Sequence, residues 1–249
     1  PGPSITAEER ARIGAICADA VARIGYRGAG TIEFLYEDGE FHFIEMNTRL
    51  QVEHPITEAI FGVDLVRQQI LVAAGQEMEF QQDQLSMRGH AIEVRLVAED
   101  ENYVPHAGRI RHFRAPPASE FTRAPLRLDH AIAAGMDVTP HYDAMLGKLI
   151  VHAHSRSEAI DGMLAALAQI EILGLPTNRG FLMTCLDDAR FRRGEALISF
   201  LDEHGDALRA QLAQRQQATH QQYAVAVACA PGTALACPFE LPLRLARGE

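Results

Sequence analysis

Five polar side chains stand at alternate positions in the stretch FIEMNTRLQVEHPITE: Glu45, Asn47, Arg49, Gln51 and Glu53. Alternate residues of an extended chain point the same way, so the five form one line, with Met46, Thr48, Leu50 and Val52 directed elsewhere. Their chemistry is graded along that line. Glu45 and Asn47 offer hard oxygen ligands. Arg49 offers a planar fork for a small oxyanion, Gln51 can complete the anion's hydrogen bonds, and Glu53 could take a proton from it. Such a row suits transfer of a metal-bound γ-phosphoryl group to a carboxylate-like acceptor. A polar edge strand with incidental charges shows the same alternation, so spacing alone leaves both readings open.

The line needs a positioned start. TIEFLY and EFHFIEMN alternate around the turn EDG, a strong hairpin signal. A three-residue loop at Asp38-Gly39 would set Glu33 opposite Glu45 and Leu35 opposite Phe43. One face would then carry Glu33, Leu35, Phe43, Glu45 and Asn47, and the other Ile32, Phe34, Tyr36, His42, Ile44 and Met46. Opposed glutamates need solvent or a cation between them, and a divalent Mg²⁺ completed by phosphate oxygens fits. A two-residue loop would put the two glutamates on opposite faces. An ordinary solvated acidic face is the plainer alternative.

Around this hairpin, Thr6 with Glu8 and Glu9 marks a helix start, and apolar residues recur at helical spacing from Ile13 to Ile24. ITEAIFGVDLVRQQILVAAG predicts a helix in two pieces broken near Gly62, and the Gln-rich QEMEFQQDQLSMRG a connector. From His90 the short β-like runs HAIEVRLVA, GRIRHFRAP, LRLDHAI and LGKLIVHAHS precede helices over 157–173, 178–189 and 195–212, a separate α+β unit. Beyond about Ala210, QLAQRQQATHQQ predicts a linker into a following domain. A formal charge of -10 over 249 residues argues against nucleic acid or an anionic membrane as partner. Four scattered cysteines without a CxxC pattern predict a reducing compartment. The start PGPSITAEER lacks an initiator Met and reads as the middle of a longer chain.

EMNTRLQVEHPITE, preceded by GYRGAGTIEFL and followed by GVDLVRQQILVAAGQ, resembles the biotin carboxylase family of ATP-grasp ligases. The resemblance continues through RGHAIEVRLVAED, HYDAMLGKLIV and LGLPTNRGFL, over about residues 1–205. It implies an α+β fold: the C-terminal half of an ATP-grasp lobe over 1–86, the biotin carboxylase C-terminal α+β domain over 87–206, and a linker or following domain over 207–249. The implied activity is ATP-dependent carboxylation of biotin by bicarbonate through carboxyphosphate, within an acyl-CoA carboxylase. Carried across, Glu33, Glu45 and Asn47 would hold Mg²⁺ or Mn²⁺ and through it the ATP phosphates. Arg49, Gln51 and the Val52 backbone would hold bicarbonate, and Glu53 would be the general base. Arg95 would stabilise the enolate of biotin, with Asp143 expected to orient it.

The implied partners are a biotin carrier domain or protein, a second copy of the chain and a carboxyltransferase subunit, in the cytoplasm or, in a eukaryote, the mitochondrial matrix. The glycine-rich lid, the lysines and the adenine slot of the family would precede this segment, so the segment alone is expected to be catalytically silent. Two rivals stay open: a different ATP-grasp ligase, against which RLQVEH and the Arg95 unit speak, and a non-catalytic docking or dimerisation role. The RGAG turn lacks the spacing of a phosphate loop, and His152 with His154 lacks a third metal ligand. His54 is expected to be structural.

Overall fold

The computed structural model describes the backbone of residues 5–229 and the side chains of residues 5–219. Helix α1 (Ala7–Arg23) starts at a capping box, in which the Thr6 hydroxyl accepts from the Glu9 N–H and the Glu9 carboxylate accepts from the Thr6 N–H. Strands β1 (Thr31–Glu37) and β2 (Glu40–Asn47) form the hairpin. Its turn is two residues long, because Asp38 and Gly39 both adopt positive φ, 50° and 85°, as a type I′ turn requires. A two-residue loop by itself would put the two glutamates on opposite faces, yet Glu33 still faces Glu45. A bulge restores the pairing: Glu33 pairs with Glu45 while Phe34 pairs with Phe43, leaving Ile44 as the extra residue. The face assignment changes beyond that bulge. Phe34 meets Phe41 and Phe43 edge-on, with ring centroids 5.8 and 6.2 Å away, and Leu35 pairs with His42.

After the hairpin, α2 (His54–Phe61) and α3 (Leu65–Ala73) are the two predicted helical pieces. Gly62 separates them at φ 76°, a left-handed C-cap that a β-carbon would strain. A short 3₁₀ turn over Gln82–Gln84 lies in the connector.

The second unit is built on a three-stranded antiparallel sheet in the order β3-β8-β6. In chain order its strands and helices are β3 (His90–Val97), β4 (Gly108–Arg109), β5 (His112–Arg114), β6 (Leu126–His130), β7 (Asp137–Val138), β8 (Met145–Ala153), α4 (Arg156–Gln169), β9 (Glu171–Leu173), α5 (Arg179–Asp187), α6 (Ala189–Arg193) and α7 (Phe200–Cys229). β4 pairs with β7, and β5 with β9. The helix predicted over 157–173 ends early. Ile170 turns extended, and Glu171–Leu173 pairs with β5 instead, burying Ile172.

The sheet has two different faces. Ile92, Val94, Leu96, Leu128, Leu149 and Val151 form one, buried beneath Ala159, Ile160, Met163 and Leu167 of α4. This face anchors the unit, since each fully buried aliphatic side chain contributes about 1.5–3 kcal/mol. Leu149→Ala, at a position with 0% exposure, is expected to cost about 2–5 kcal/mol, read as a lower urea midpoint at constant slope. The opposite face carries Glu93, Arg95, Arg127, Asp129, Lys148 and Ile150, because Arg95 pairs with Lys148, Lys148 with Asp129, and Ile150 with both Glu93 and Arg127. Helix α2 lies against this charged face.

The linker predicted beyond about Ala210 is helix as far as Cys229. Ala, Gln, Leu and Arg favour helix whatever their sequence complexity, and Leu208 and Leu212 bury with Phe181 and Phe200. The part of that prediction falling on 230–249 lies outside the described residues.

Candidate active site

At the open end of the hairpin, Glu33 and Glu45 face each other across β1 and β2. The Asn47 amide donates to both, at 2.8 Å to Glu33 Oε1 and 3.0 Å to Glu45 Oε1. Gln51 joins the same cluster, its Nε2 lying 2.7 Å from Glu33 Oε1. Two carboxylates and two amides converge there, and donor groups already occupy the space between the acids. Among the described residues no group of three or more His, Cys, Asp or Glu could hold a metal. A divalent ion at this cluster would therefore need oxygens from outside the chain, as Mg²⁺ commonly takes them from phosphates. The donor set fits such an ion: two opposed carboxylates and an amide, all hard ligands.

The straight polar line does not continue past Asn47. β2 ends there, the chain turns, and Glu53 takes up φ −83° and ψ 8° as the residue before α2. The cause is local: Pro55 at the start of α2 presets its first turn, so 48–53 must bend to enter it. The bend sorts the side chains. Gln51 reaches back to Glu33, while the Arg49 guanidinium stays exposed with only the Leu50 carbonyl, at 3.3 Å. Among the described residues no carboxylate pairs with Arg49. The Val52 N–H also donates to no protein acceptor there, whereas the Val52 carbonyl accepts from Lys148 Nζ at 2.7 Å.

Glu53 and Arg95, 42 positions apart, meet at 2.8 Å from Oε2 to Nη2. Both side chains are about half exposed, 49% and 53%, so the pair is open to an incoming molecule. Asp143 does not orient Arg95. Its carboxylate accepts from the Met145 N–H at 2.8 Å, two residues on, an Asx turn that leads the chain into β8. His54 is held by the Gln51 carbonyl at 2.7 Å, and burial lowers its pKa. His152 is occupied by the Arg88 carbonyl at 2.8 Å.

Beneath these groups lies an ionic layer that the sequence reading missed. Arg127 reaches Glu58 of α2 at 2.6 Å and grips Asp129 through Nε and Nη2, at 2.9 and 2.7 Å. All three side chains are at least 94% buried. Burial pushes the Asp129 carboxyl up, but the Arg127 fork and the Phe121 N–H outweigh it and hold the group below its ordinary pKa. A signal was available: LRLDH alternates apolar and charged residues as a strand with one polar inner face does.

Both units have counterparts among known proteins. Residues 93–203 match the family described as "Biotin carboxylase C-terminal domain", and residues 1–81 match "Carbamoyl-phosphate synthase L chain, ATP binding domain". Residues 93–203 thus belong to the biotin carboxylase family. Over 204 residues the chain is 47% identical to a biotin carboxylase of Allochromatium vinosum, covering 82% of this chain and 44% of that protein. Over 214 residues it is 44% identical to a pyruvate carboxylase subunit of Methanothermobacter thermautotrophicus, covering 85% of this chain and 43% of that one. Among solved structures, the biotin carboxylase domain dimer of Hydrogenobacter thermophilus 2-oxoglutarate carboxylase, in complex with MgADP, ADP and bicarbonate, aligns with a TM-score of 0.79 at 38% identity. That alignment covers 84% of this chain and 46% of the other. The chain thus spans a little under half the length of these two curated relatives. No helix among the described residues is long and apolar enough to cross a membrane.

Proposed function

We propose that this segment forms one wall of the active site of an ATP-dependent enzyme that carboxylates biotin, presented on a carrier, with bicarbonate by way of carboxyphosphate. The observation that carries the reading is the Glu53–Arg95 contact at 2.8 Å, which brings a candidate base and a candidate anion-stabilising cation from the two matched domains to one point. Arg49, Gln51 and the free Val52 N–H would hold bicarbonate, and Glu53 would take its proton. Arg95 would supply a fixed, non-titrating charge to the acceptor oxygen of biotin. Glu33, Glu45 and Asn47 would hold Mg²⁺ or Mn²⁺, which when bound neutralises the charge of the ATP phosphates.

The same reading assigns as partners a biotin carrier, a second copy of the chain and a carboxyltransferase subunit, in a cytoplasmic compartment or a mitochondrial matrix. Two of the cited relatives are a dimeric carboxylase domain and a carboxylase subunit, which supports those partners as a class. The ATP-binding half is shared with carbamoyl-phosphate synthases by description, but the match over 93–203 favours biotin as acceptor.

The test joins the chain to the N-terminal half of the Allochromatium vinosum relative and follows ATP hydrolysis with free biotin and bicarbonate. Hydrolysis that depends on bicarbonate and rises with biotin is expected. Hydrolysis indifferent to both would sink the assignment.

A further inference from the structure

Lys148 is an unusual residue to find here. It sits mid-strand on β8 with its side chain only 12% exposed, and its one hydrogen bond runs 96 positions back to the Val52 carbonyl, at 2.7 Å. A buried ammonium with a single neutral acceptor needs a nearby countercharge. Asp129 stands 3.9 Å away, but it is already committed to the Arg127 fork and the Phe121 N–H. Glu58 also faces the lysine but is taken up by Arg127, at 2.6 Å, which leaves Glu93 of β3. It pairs with Ile150, two residues along from Lys148 on the same sheet face, a diagonal neighbour within reach of two long side chains. Both Glu93 carboxylate oxygens are closed off from solvent and have no hydrogen-bond partner. Nothing in the proposed chemistry uses either residue.

We propose that Lys148 and Glu93 are positioning residues for the Val52–Glu53 turn: the lysine clamps the Val52 carbonyl, and the glutamate supplies the countercharge that keeps the lysine there. This rests on the bicarbonate reading of Arg49, Gln51, Val52 and Glu53. A peptide unit is planar, so holding the Val52 oxygen fixes the direction of the next N–H and the placement of the Glu53 α-carbon. That in turn sets the angle at which Glu53 approaches Arg95. The clamp ties the turn to the sheet of the C-terminal domain, so the two sides of the site move as one.

The arrangement carries a cost that distinguishes it from mere packing. Burial pushes the Glu93 pKa up to about 7, with the Lys148 charge opposing, the Glu53 and Asp129 charges adding to the rise and Arg95 countering them. Burial likewise lowers the Lys148 pKa against the pull of Glu93 and Asp129, with Arg127 adding to the fall and Glu58 opposing it. A carboxyl whose folded pKa is raised favours the fold when protonated. That contribution is full below the ordinary carboxylate range and is lost as pH rises through about 7. Glu93→Gln removes the buried charge, so its urea midpoint relative to wild type should rise between pH 5 and pH 8, while the turn loosens.

The experiment measures hydrogen exchange in the 249-residue chain and steady-state kinetics in the joined enzyme, for Lys148→Met, Lys148→Arg and Glu93→Gln. The reporters are the His54 and Ile56 amides, which donate to the Gln51 and Glu53 carbonyls at 3.4 and 3.1 Å. Lys148→Met should speed their exchange about tenfold, the scale of one buried charge-assisted hydrogen bond, with β3 amides unchanged. Lys148→Arg should restore most of the protection. In the joined enzyme Lys148→Met should raise the bicarbonate KM about tenfold and leave the ATP KM unmoved. Exchange within twofold of wild type in a folded Lys148→Met chain overturns the clamp. Faster exchange with an unmoved bicarbonate KM overturns its positioning role. A joined enzyme indifferent to bicarbonate faults the functional reading alone, because the clamp is still read, and supported, by the exchange.

Discussion

Glu53→Gln in the joined enzyme is expected to lower bicarbonate-dependent ATP turnover by about 10²–10⁴-fold, the range over which a positioned general base contributes. The amide keeps the size of the side chain and can still accept from Arg95, so the loss isolates proton removal from shape. Wild-type Glu53 meets Arg95 at 2.8 Å while both remain about half exposed, so the change leaves no buried charge unpaired. Stability should consequently stay within about 0.5 kcal/mol of wild type, as for surface substitutions in general. Paired measurement of turnover and urea midpoint checks both halves of the expectation. Full activity surviving the substitution would remove Glu53 from the role of base.

Arg127→Met is expected to give the largest loss of stability, about 3–5 kcal/mol, because it strands two buried carboxylates that share one cation. Glu58 keeps only the Leu65 N–H, at 2.8 Å, and Asp129 the Phe121 N–H, at 2.7 Å, with the Lys148 ammonium 3.9 Å away. Since a domain of this kind is stable by about 5–15 kcal/mol, the variant should unfold at a much lower urea concentration. The loss should depend on pH in a defined direction. In the wild type the Asp129 pKa is held below its ordinary value, so the stability from its ionised form is present above the ordinary Asp pKa and fades as pH falls through the lowered one. The variant lacks that contribution, so the gap between the two proteins should narrow in acid. A gap that widened on acidification would show that the layer is held by something other than the Arg127 charge. Glu58 belongs to α2 and Arg127 to β6, so the same substitution should loosen α2 on the sheet and disturb the turn that carries Glu53.

Much of the local structure was legible in the residues because its causes are local. Thr6 and Glu9 cap α1 through contacts three residues apart, and Gly62 breaks the helix because it takes a left-handed φ. Other features failed for identifiable reasons. Loop length does not show in this pairing, because an Asp-Gly type I′ turn and a bulge compensate each other, giving the same Glu33–Glu45 pairing as a longer loop. The low-complexity stretch after Ala210 has the composition of a linker, yet its residues have good helix propensity and continue α7.

The sequence by itself determined which chemistry the chain can offer: two acids and an amide at one end of a hairpin, a guanidinium, and a carboxylate at the mouth of a helix. It also determined the family, through motifs long enough to be specific. Only the tertiary structure decided which of these groups meet. It bent the polar line after Asn47, drew Gln51 to Glu33, set Glu53 against Arg95, and brought Lys148 to the Val52 carbonyl. The physical reason is range. Alternation and capping act over two to four residues, whereas these contacts span 18, 42 and 96 positions, and the last two exist only because α2 lies on the charged face of one particular sheet.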